Sequence, residues 1–596
     1  MSSEGRLLRV NLEEQSYTFE DLDREHLRHF IGGRGVGSKL LYEEQRPGTD
    51  PLSPENKLIF ATGPLTATMV PSSGRYMVIT RSPLTGAIAC SNSGGYVPAE
   101  IRFAGIDYLS LEGKAERPLY LWLRDGQVSF RDAGHLWGKD VHETEDLLRA
   151  ETDPDAKVAC IGPAGERGVL FSCIVNDKFR AAGRSGVGAV MGAKNLKAIA
   201  VRGTGGLRVA DREALRETTS KALEKVKLTP ATSERLRHYG TPGILAPINK
   251  NGLFPTRNFR ESVFEGAHLI DGERVARELL QRPKSCFGCP IGCARVTRPI
   301  DPAEGFYEGP EYENIWALGA ATGISDLRAI SQGSFLCNKL GMDPISAGAT
   351  IGCAMELFER GIISREEVGG ELRFGDAEAL LRSLKQAAYR EGFGDRLALG
   401  SLRMASHYGH PELAMVAKGQ EFPAYDGRGA QGMGLAYATS NRGACHLRGF
   451  TVGAEVFGTL KPGATEGKAE LLASIQNRTA AVDSLGICLF VTNAYGPELL
   501  APMLSAVRGE MWTAEGLLLA GERVWNLERL FNLREGFSKK DDTLPPRMLE
   551  EPIPGGPLKG QVCRLDEMLP AYYAARGWTP RGRPTPRKLR ELGLRA

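Results

Sequence analysis

No apolar run in the 596 residues approaches the ~18 that a bilayer core demands; Leu517, Leu518, Leu519 and Ala520 form about the longest aliphatic block. An integral membrane protein is excluded. Charge of one sign is also scarce, because 75 Lys and Arg nearly balance 72 Asp and Glu and leave a net charge of +3. So small an excess argues against a nucleic-acid binder. Aromatic residues are only 7% of the chain and histidines number nine, so each histidine in a motif carries weight. The first residues, Met1-Ser2-Ser3-Glu4-Gly5-Arg6, have neither the basic n-region nor the apolar h-region of a secretory leader, so a cytoplasmic protein is expected. No G-x4-G-K-[ST] loop occurs, and Gly186-x-Gly188-x3-Gly192 follows a polar stretch rather than a strand, which leaves no Walker A loop and no recognisable nicotinamide site.

What is present is ordinary globular composition, 42% hydrophobic and 25% charged, with two departures. Eleven cysteines is an odd number in a long chain, so a disulfide framework is not expected. Three of them crowd into Cys286-Phe-Gly-Cys289-Pro-Ile-Gly-Cys293. Seventy-two glycines, about 12% against the usual ~7%, are the second departure.

The first two hundred residues read mainly as strands: Lys57 to Thr62, Tyr76 to Thr80, Tyr108 to Glu112, Leu119 to Leu123 and Leu196 to Val201. Asp125-Gly126 is a two-residue hairpin signal. After Gly203-Thr-Gly-Gly206 the periodicity turns helical, as in Asp376 to Arg390, which an Asp N-cap opens and Gly392 or Gly394 can close. A further boundary falls near Gly419 to Gly434. Three domains are expected: 1–206, 207–418 and 419–596.

C-x2-C-x3-C places three thiolates in one loop, and a soft four-coordinate centre then needs one ligand from elsewhere. Zinc and an iron–sulfur cluster both fit, and the small or apolar residues between the cysteines favour a dry cluster wrapped by backbone N–H groups. Cys337, Cys353, Cys445 and Cys488 are candidates for the fourth ligand. Four glycine loops, Gly32–Gly37, Ser72–Tyr76, Ser91–Gly95 and Arg180–Gly188, resemble anion-cradling nests, two with arginines beside them, and together point to one phosphate-bearing cofactor. A hexapeptide occurs twice, Asn338-Lys-Leu-Gly-Met-Asp343 and Asp483-Ser-Leu-Gly-Ile-Cys488, each able to close a helix at its glycine and offer polar groups to a ligand; two plain helix C-caps are the alternative. Glu311-Tyr-Glu313-Asn314 and Asn441–Arg448, which contains His446, supply a carboxylate and an imidazole, the usual acid–base pair near neutral pH.

Taken together these motifs resemble the tungsten-dependent aldehyde:ferredoxin oxidoreductase family. The resemblance runs from Arg6–Asn11 through Gly63-Pro-Leu-Thr66 and Ser82-Pro-Leu-Thr-Gly86 to Leu565-Asp-Glu567, Gly577-Trp578 and Pro584-Thr-Pro586. It implies an α+β fold in which an N-terminal β-rich domain forms the base for a bis-pterin cofactor and two mainly helical domains cover it. It also implies one [4Fe-4S] cluster on Cys286, Cys289, Cys293 and Cys488. Asn338, Asp343 and Asp483 would bind pterin edges, Arg75 and Arg180 would hold pterin phosphates, and Asn92 with the carbonyl of Ala181 would ligate a Mg2+ ion. The chain departs from the family pattern at Asn338, where Asp is usual, and at Met342.

The implied chemistry is aldehyde oxidation to a carboxylic acid at tungsten bis-molybdopterin. His446 would polarise the carbonyl and Glu313 would take up or relay a proton. Electrons would leave through the cluster to ferredoxin, or to a ferredoxin-like iron–sulfur subunit with a separate flavin/NAD subunit, within an oligomer. A related tungsten reductase of aromatic-ring thioesters is the nearer alternative, and a non-catalytic iron–sulfur or zinc-stabilised module the more distant one. Seven basic residues in the tail, Arg576, Arg581, Arg583, Arg587, Lys588, Arg590 and Arg595, suggest a surface that steers an acidic carrier.

Overall fold

A computed structural model describes residues 4–301 and 305–595. Twelve strands fill the N-terminal third: β1 Arg6–Asn11, β2 Ser16–Asp21, β3 Leu58–Thr62, β4 Tyr76–Arg81, β5 Ile88–Ser93, β6 Tyr108–Glu112, β7 Leu119–Arg124, β8 Gln127–Asp132, β9 Lys157–Cys160, β10 Ile174–Asn176, β11 Arg180–Ala182 and β12 Leu196–Arg202. They form two six-stranded sheets, ordered β2-β1-β6-β3-β4-β5 and β11-β10-β9-β12-β7-β8. Both are mixed, with parallel pairs only at β1/β6 and β12/β7.

Strand alternation decides how the sheets stack, since successive side chains face opposite sides. Leu58 and Phe60 of β3 and Leu119, Leu121 and Leu123 of β7 enter the core between the sheets. Their neighbours Ile59 and Ala61 face the other way, against the helices Gly33–Glu44 and Ala514–Arg534. Tyr120 and Trp122 pack under Val141 and Leu148 of a helix on the far face of the second sheet. Burial on both faces makes these strands near-continuous apolar runs. The Asp125-Gly126 turn closes β7 onto β8 with both central residues at positive φ, 48° and 83°.

The rest of the chain is mainly helical, as expected, with two small sheets inside it. One was not anticipated: β13 Leu280–Lys284, β14 Ala294–Thr297 and β15 Tyr307–Glu308 form a three-stranded sheet, and the three-cysteine loop is the β13–β14 connection. Pro283 hid β13, and is tolerated because β13 is an edge strand. The helix Ala377–Tyr389 is capped by Asp376, whose carboxylate accepts from the Ala379 N–H at 2.9 Å. It stops at Arg390, itself left-handed at φ 54° and tied to Asp395, rather than at Gly392 or Gly394.

Both hexapeptides close helices at their glycines. Leu327–Leu340 ends in left-handed Gly341, after which Asp343 caps Pro344–Glu359. Lys468–Leu485 ends in left-handed Gly486. Each end hooks onto a loop of the β base: the Asp343 N–H donates to the Phe171 carbonyl at 3.0 Å, and the Leu65 N–H to the Leu485 carbonyl at 3.0 Å. The second contact is so close that a Cβ on Gly63 would lie 2.2 Å from the Leu485 carbonyl carbon. The Gly32–Gly37 segment serves the same approach. It opens the helix Gly33–Glu44, whose first turn lies against the carbonyls of Asp483 and Ser484, so it is a packing surface and not an anion nest.

Gly486 has φ +79°, and a Cβ there would stand 2.1 Å from Thr66 Oγ1. Gly486→Ala is expected to cost about 2–4 kcal/mol from left-handed strain plus overlap, seen as a lowered calorimetric unfolding midpoint. Gly467, with φ +71° and open space around it, is the control: its Ala variant should lose about 1 kcal/mol from strain alone.

Candidate functional site

The cysteine loop, the Ser72–Arg75 turn and Cys488 converge. The Ser72 N–H donates to the Gly288 carbonyl at 2.8 Å, the Cys488 N–H to the Ser72 carbonyl at 3.0 Å, and the Phe287 N–H to the Gly95 carbonyl at 3.2 Å. Cys286, Cys289 and Cys293 are half-buried, Cys488 is buried, and none is in a disulfide. Arg75 lies within the electrostatic reach of all four thiols. Among the described residues no three Cys, His, Asp or Glu side chains gather tightly enough to hold a single metal ion. Four thiols facing one arginine form a donor set of the kind a soft metal centre takes. Burial alone would raise the Cys286 thiol, but Arg180, Arg75 and the Gly95 N–H outweigh it and bring it below its ordinary value. That electropositive setting favours thiolates.

One hydrogen-bonded chain links this loop to the second hexapeptide. Arg75 donates to Cys488 Sγ at 3.0 Å and to Asn92 Oδ1 at 3.0 Å, and Asn92 Nδ2 lies 3.4 Å from Asp483 Oδ1. Asp483 is also paired with Arg448 and with Arg34 at 3.3 Å, while Arg34 grips Glu528 with two bonds of 2.7 Å. Arg180 and Ala181 lie on β11, which packs alongside β5, the strand carrying Asn92. Arg180 donates to Glu308 at 2.8 Å. Asn338 donates to the Ser334 carbonyl of its own helix at 3.2 Å, and Asp343 stands 3.5 Å from Arg184 Nε.

Glu313 and His446 come from elements far apart in sequence and meet at 3.5 Å, Oε1 to Nε2. Glu313 sits in the first turn of the helix Tyr312–Leu318 and accepts from the Ala424 N–H at 3.0 Å. Burial pushes its carboxyl up to about 8, against that N–H and Arg184, which favour the ionised form. Burial, then Arg184 and Arg442, hold His446 well below its ordinary value. At neutral pH the carboxyl is mostly protonated and the imidazole neutral. Perturbation of this kind in a buried pair marks a candidate acid–base site.

Several polar atoms here are buried without a hydrogen bond: Glu313 Oε1 and Arg184 Nε, which have only the 3.5 Å ion-pair neighbours His446 and Asp343, and His446 Nδ1, Arg184 Nη1, Arg442 Nε, Arg448 Nε and Asn441 Oδ1. Such atoms are few in native interiors, and unpaired guanidinium N–H groups fit the oxygens of an anionic, polar cofactor. Arg184, Arg442 and Arg448 received no role in the sequence reading. Arg184 lies inside the Arg180–Gly188 loop, and the other two inside Asn441–Arg448, so the signal was in the motifs already singled out. The basic tail stands differently. Arg576 is buried between helices and donates to Tyr572 and Asn477, and Lys588 pairs with Glu522 and Glu591, so these two are drawn out of the charge run, whereas Arg587, paired with Glu591, stays exposed.

A family model described as aldehyde ferredoxin oxidoreductase, N-terminal domain, matches residues 7–203, and one described as aldehyde ferredoxin oxidoreductase, domains 2 & 3, matches residues 217–594. The chain is 48% identical to the tungsten-containing aldehyde ferredoxin oxidoreductase of Pyrococcus furiosus and 49% identical to that of Pyrococcus abyssi, in both cases over 99% of this chain and 98% of the relative. Among solved structures it is similar to the active-site complex of a benzoyl coenzyme A reductase with 1,5-dienoyl-CoA, with a TM-score of 0.87, 26% identity, and coverage of 99% of this chain and 97% of that one.

Because the Glu313 carboxyl is raised from 4.5 to about 8, the folded state holds a proton that the unfolded state releases, so stability falls as pH rises from 4.5 to 8. The penalty reaches at most ~5 kcal/mol above pH 8. In protein stripped of cofactors, Glu313→Gln should match the parent's unfolding midpoint at pH 4 and exceed it at pH 9. Equal midpoints at both pH values would show that Glu313 is not raised.

Proposed function

The chain belongs to the aldehyde ferredoxin oxidoreductase family, and from that premise we propose that it oxidises aldehydes to carboxylic acids and delivers the electrons to ferredoxin. The relatives at 48–49% identity over nearly full length carry the aldehyde reading. At 26%, the benzoyl coenzyme A reductase complex does not favour the thioester alternative over it. Among the described residues no helix is long and apolar enough to cross a membrane.

Arg75 and Arg180 would hold pterin phosphates, and Asn92 with the Ala181 carbonyl a Mg2+ ion. Asn338, Asp343 and Asp483 would meet pterin edges, and Cys286, Cys289, Cys293 and Cys488 would hold a [4Fe-4S] cluster. When bound, the tungsten–pterin centre supplies a two-electron acceptor and the cluster a one-electron exit. The observation that most supports this assignment is the chain Asp483–Asn92–Arg75–Cys488, which joins the residues for the pterin to a thiol for the cluster through contacts of 3.0–3.4 Å.

Oxidation of an aldehyde with water to an acid releases two electrons and two protons. His446, neutral at pH 7, has an N–H to donate to the aldehyde oxygen, which leaves the carbonyl carbon more electrophilic. Glu313, once ionised, accepts a released proton; its raised position makes it a stronger base than an ordinary carboxylate and keeps only a minor fraction in the active form at pH 7. Arg184, close to both, stabilises negative charge as the carboxylate product forms.

Anaerobically purified enzyme should contain about one tungsten and about four irons per chain and reduce ferredoxin with an aldehyde as donor. Zinc alone in folded protein would sink the proposal. Glu313→Gln should lower kcat about 10²–10⁴-fold and His446→Asn about 10²-fold, with metal content unchanged. The parent's kcat/KM should rise with pH through about 8, as Glu313 ionises. Full activity in both variants, with the cofactors loaded, would remove these residues from the chemistry.

A further inference from the structure

The loop that carries Cys286 starts from a strand end tied down by a buried carboxylate. Lys284 ends β13 two residues before Cys286, and Glu308 ends β15 at the other edge of the same three-stranded sheet. Register puts the two side chains on one face, because Lys284 lies opposite Ala294 and Glu308 opposite Val296, two residues along β14. One carboxylate oxygen of Glu308 takes Lys284 Nζ, and the other accepts from Arg180 Nη2 of β11 at 2.8 Å. The Glu308 side chain is only 2% exposed, so these contacts replace its water.

Arg180 is held in turn beside the thiols. It faces Asn176 across β10 and β11, and Asn176 Nδ2 donates to the Gly94 carbonyl at 2.9 Å. A Cβ on Gly94 would stand 3.0 Å from Cys286 Sγ and 3.1 Å from Arg75 Cζ, so that backbone turn lies directly against the first cysteine of the loop. Arg180 is also one of the groups that bring the Cys286 thiol below its ordinary value. Glu308 therefore grips two cations that flank Cys286, one through the chain and one through space. Neither the acid–base pair nor the phosphate contact assigned to Arg180 makes use of it.

The potential of an iron–sulfur cluster follows the net charge and the hydrogen bonds around its sulfurs. Reduction adds one negative charge, which nearby cations favour and nearby anions oppose. We propose that Glu308 is a positioning residue for the cluster: it fixes Arg180 beside Cys286 and, by countering Arg180 and Lys284, keeps the reduction potential low enough for onward transfer to ferredoxin. In that transfer one electron leaves the reduced cluster for one oxidised ferredoxin, and no bond forms or breaks. The inference rests on the reading of Cys286, Cys289, Cys293 and Cys488 as [4Fe-4S] ligands.

The test is an anaerobic redox titration of the holoenzyme, followed by the electron paramagnetic resonance signal of the reduced cluster. At the parent's midpoint potential, Glu308→Gln should raise the reduced-to-oxidised ratio about threefold or more. Lys284→Gln should lower the ratio, and Glu308→Asp, which keeps the charge, should fall between Glu308→Gln and the parent. Opposite signs separate a charge effect from mere disturbance of the loop, which moves both variants the same way. An unchanged ratio in Glu308→Gln at about four irons per chain, or shifts of one sign in Glu308→Gln and Lys284→Gln, overturns the proposal. Should Glu308→Gln lose its iron, Lys284→Gln decides alone: a lowered ratio supports the proposal, and an unchanged or raised one overturns it. A folded parent with neither iron nor this signal would instead overturn the cluster assignment, and this inference with it.

Discussion

Everything at the site depends on where the helix Lys468–Leu485 stops. Its last turn carries Asp483, and Cys488 follows two residues after the terminating glycine, so one helix end places a carboxylate on one side and a thiol on the other. That end is pinned by backbone contact with Gly63 and Leu65 and by the buried array of Arg34, Arg448, Asp483 and Glu528. Four buried charges would be expensive singly. Paired two against two, with Arg34 bidentate on Glu528, they trade desolvation for direct contacts. Removing any one leaves an uncompensated charge in the interface, so the array resists small displacements of the helix end.

The same low-polarity interior sets the two protonation states of the acid–base pair in opposite directions. Burial disfavours whichever form is charged, so it raises Glu313 and lowers His446. The arginines then act unequally: they oppose a second positive charge on His446 and partly offset the penalty on the Glu313 carboxylate. A buried imidazole facing Arg184 and Arg442 remains a neutral hydrogen-bond donor over the whole physiological range. The carboxyl opposite it can change state near pH 8.

Much of the fold was legible from residue pattern. The strands β3, β4, β7 and β12 could be read because each is buried on both faces, and the hairpin because Asp125-Gly126 tolerates positive φ at both positions. The helix ends at Gly341 and Gly486 were legible for the same reason. The sheet around the cysteine loop was not, since β13 contains Pro283 and only one of its sides is paired. The site divides along the same line. Short-range spacing exposed the three cysteines, but Arg184 and Arg442 act through contacts between segments hundreds of residues apart, and no local pattern separates an arginine aimed inward from one on the surface. The tail shows the converse: its charge run looked like one surface, while tertiary packing takes Arg576 into the interior and neutralises Lys588.

Four glycine loops read as phosphate cradles, and part of the glycine excess has a different physical origin. At Gly32, Gly33 and Gly63 the nearest atoms to a hypothetical Cβ are backbone or ring atoms of a facing segment, at 2.2–2.7 Å. Backbone cannot rotate out of the way as a flexible side chain can, so any larger residue would push the facing helix end outward by a sizeable part of an ångström. Asp483 and Cys488 would move with it, and hydrogen bonds of 3.0–3.4 Å to Asn92 and Arg75 weaken quickly over such a distance. These glycines therefore set a separation between the β base and the helical layer. A site built on both layers is only as well ordered as that separation, and charge pairing can hold the helix end in register only because the glycines first let the backbones meet.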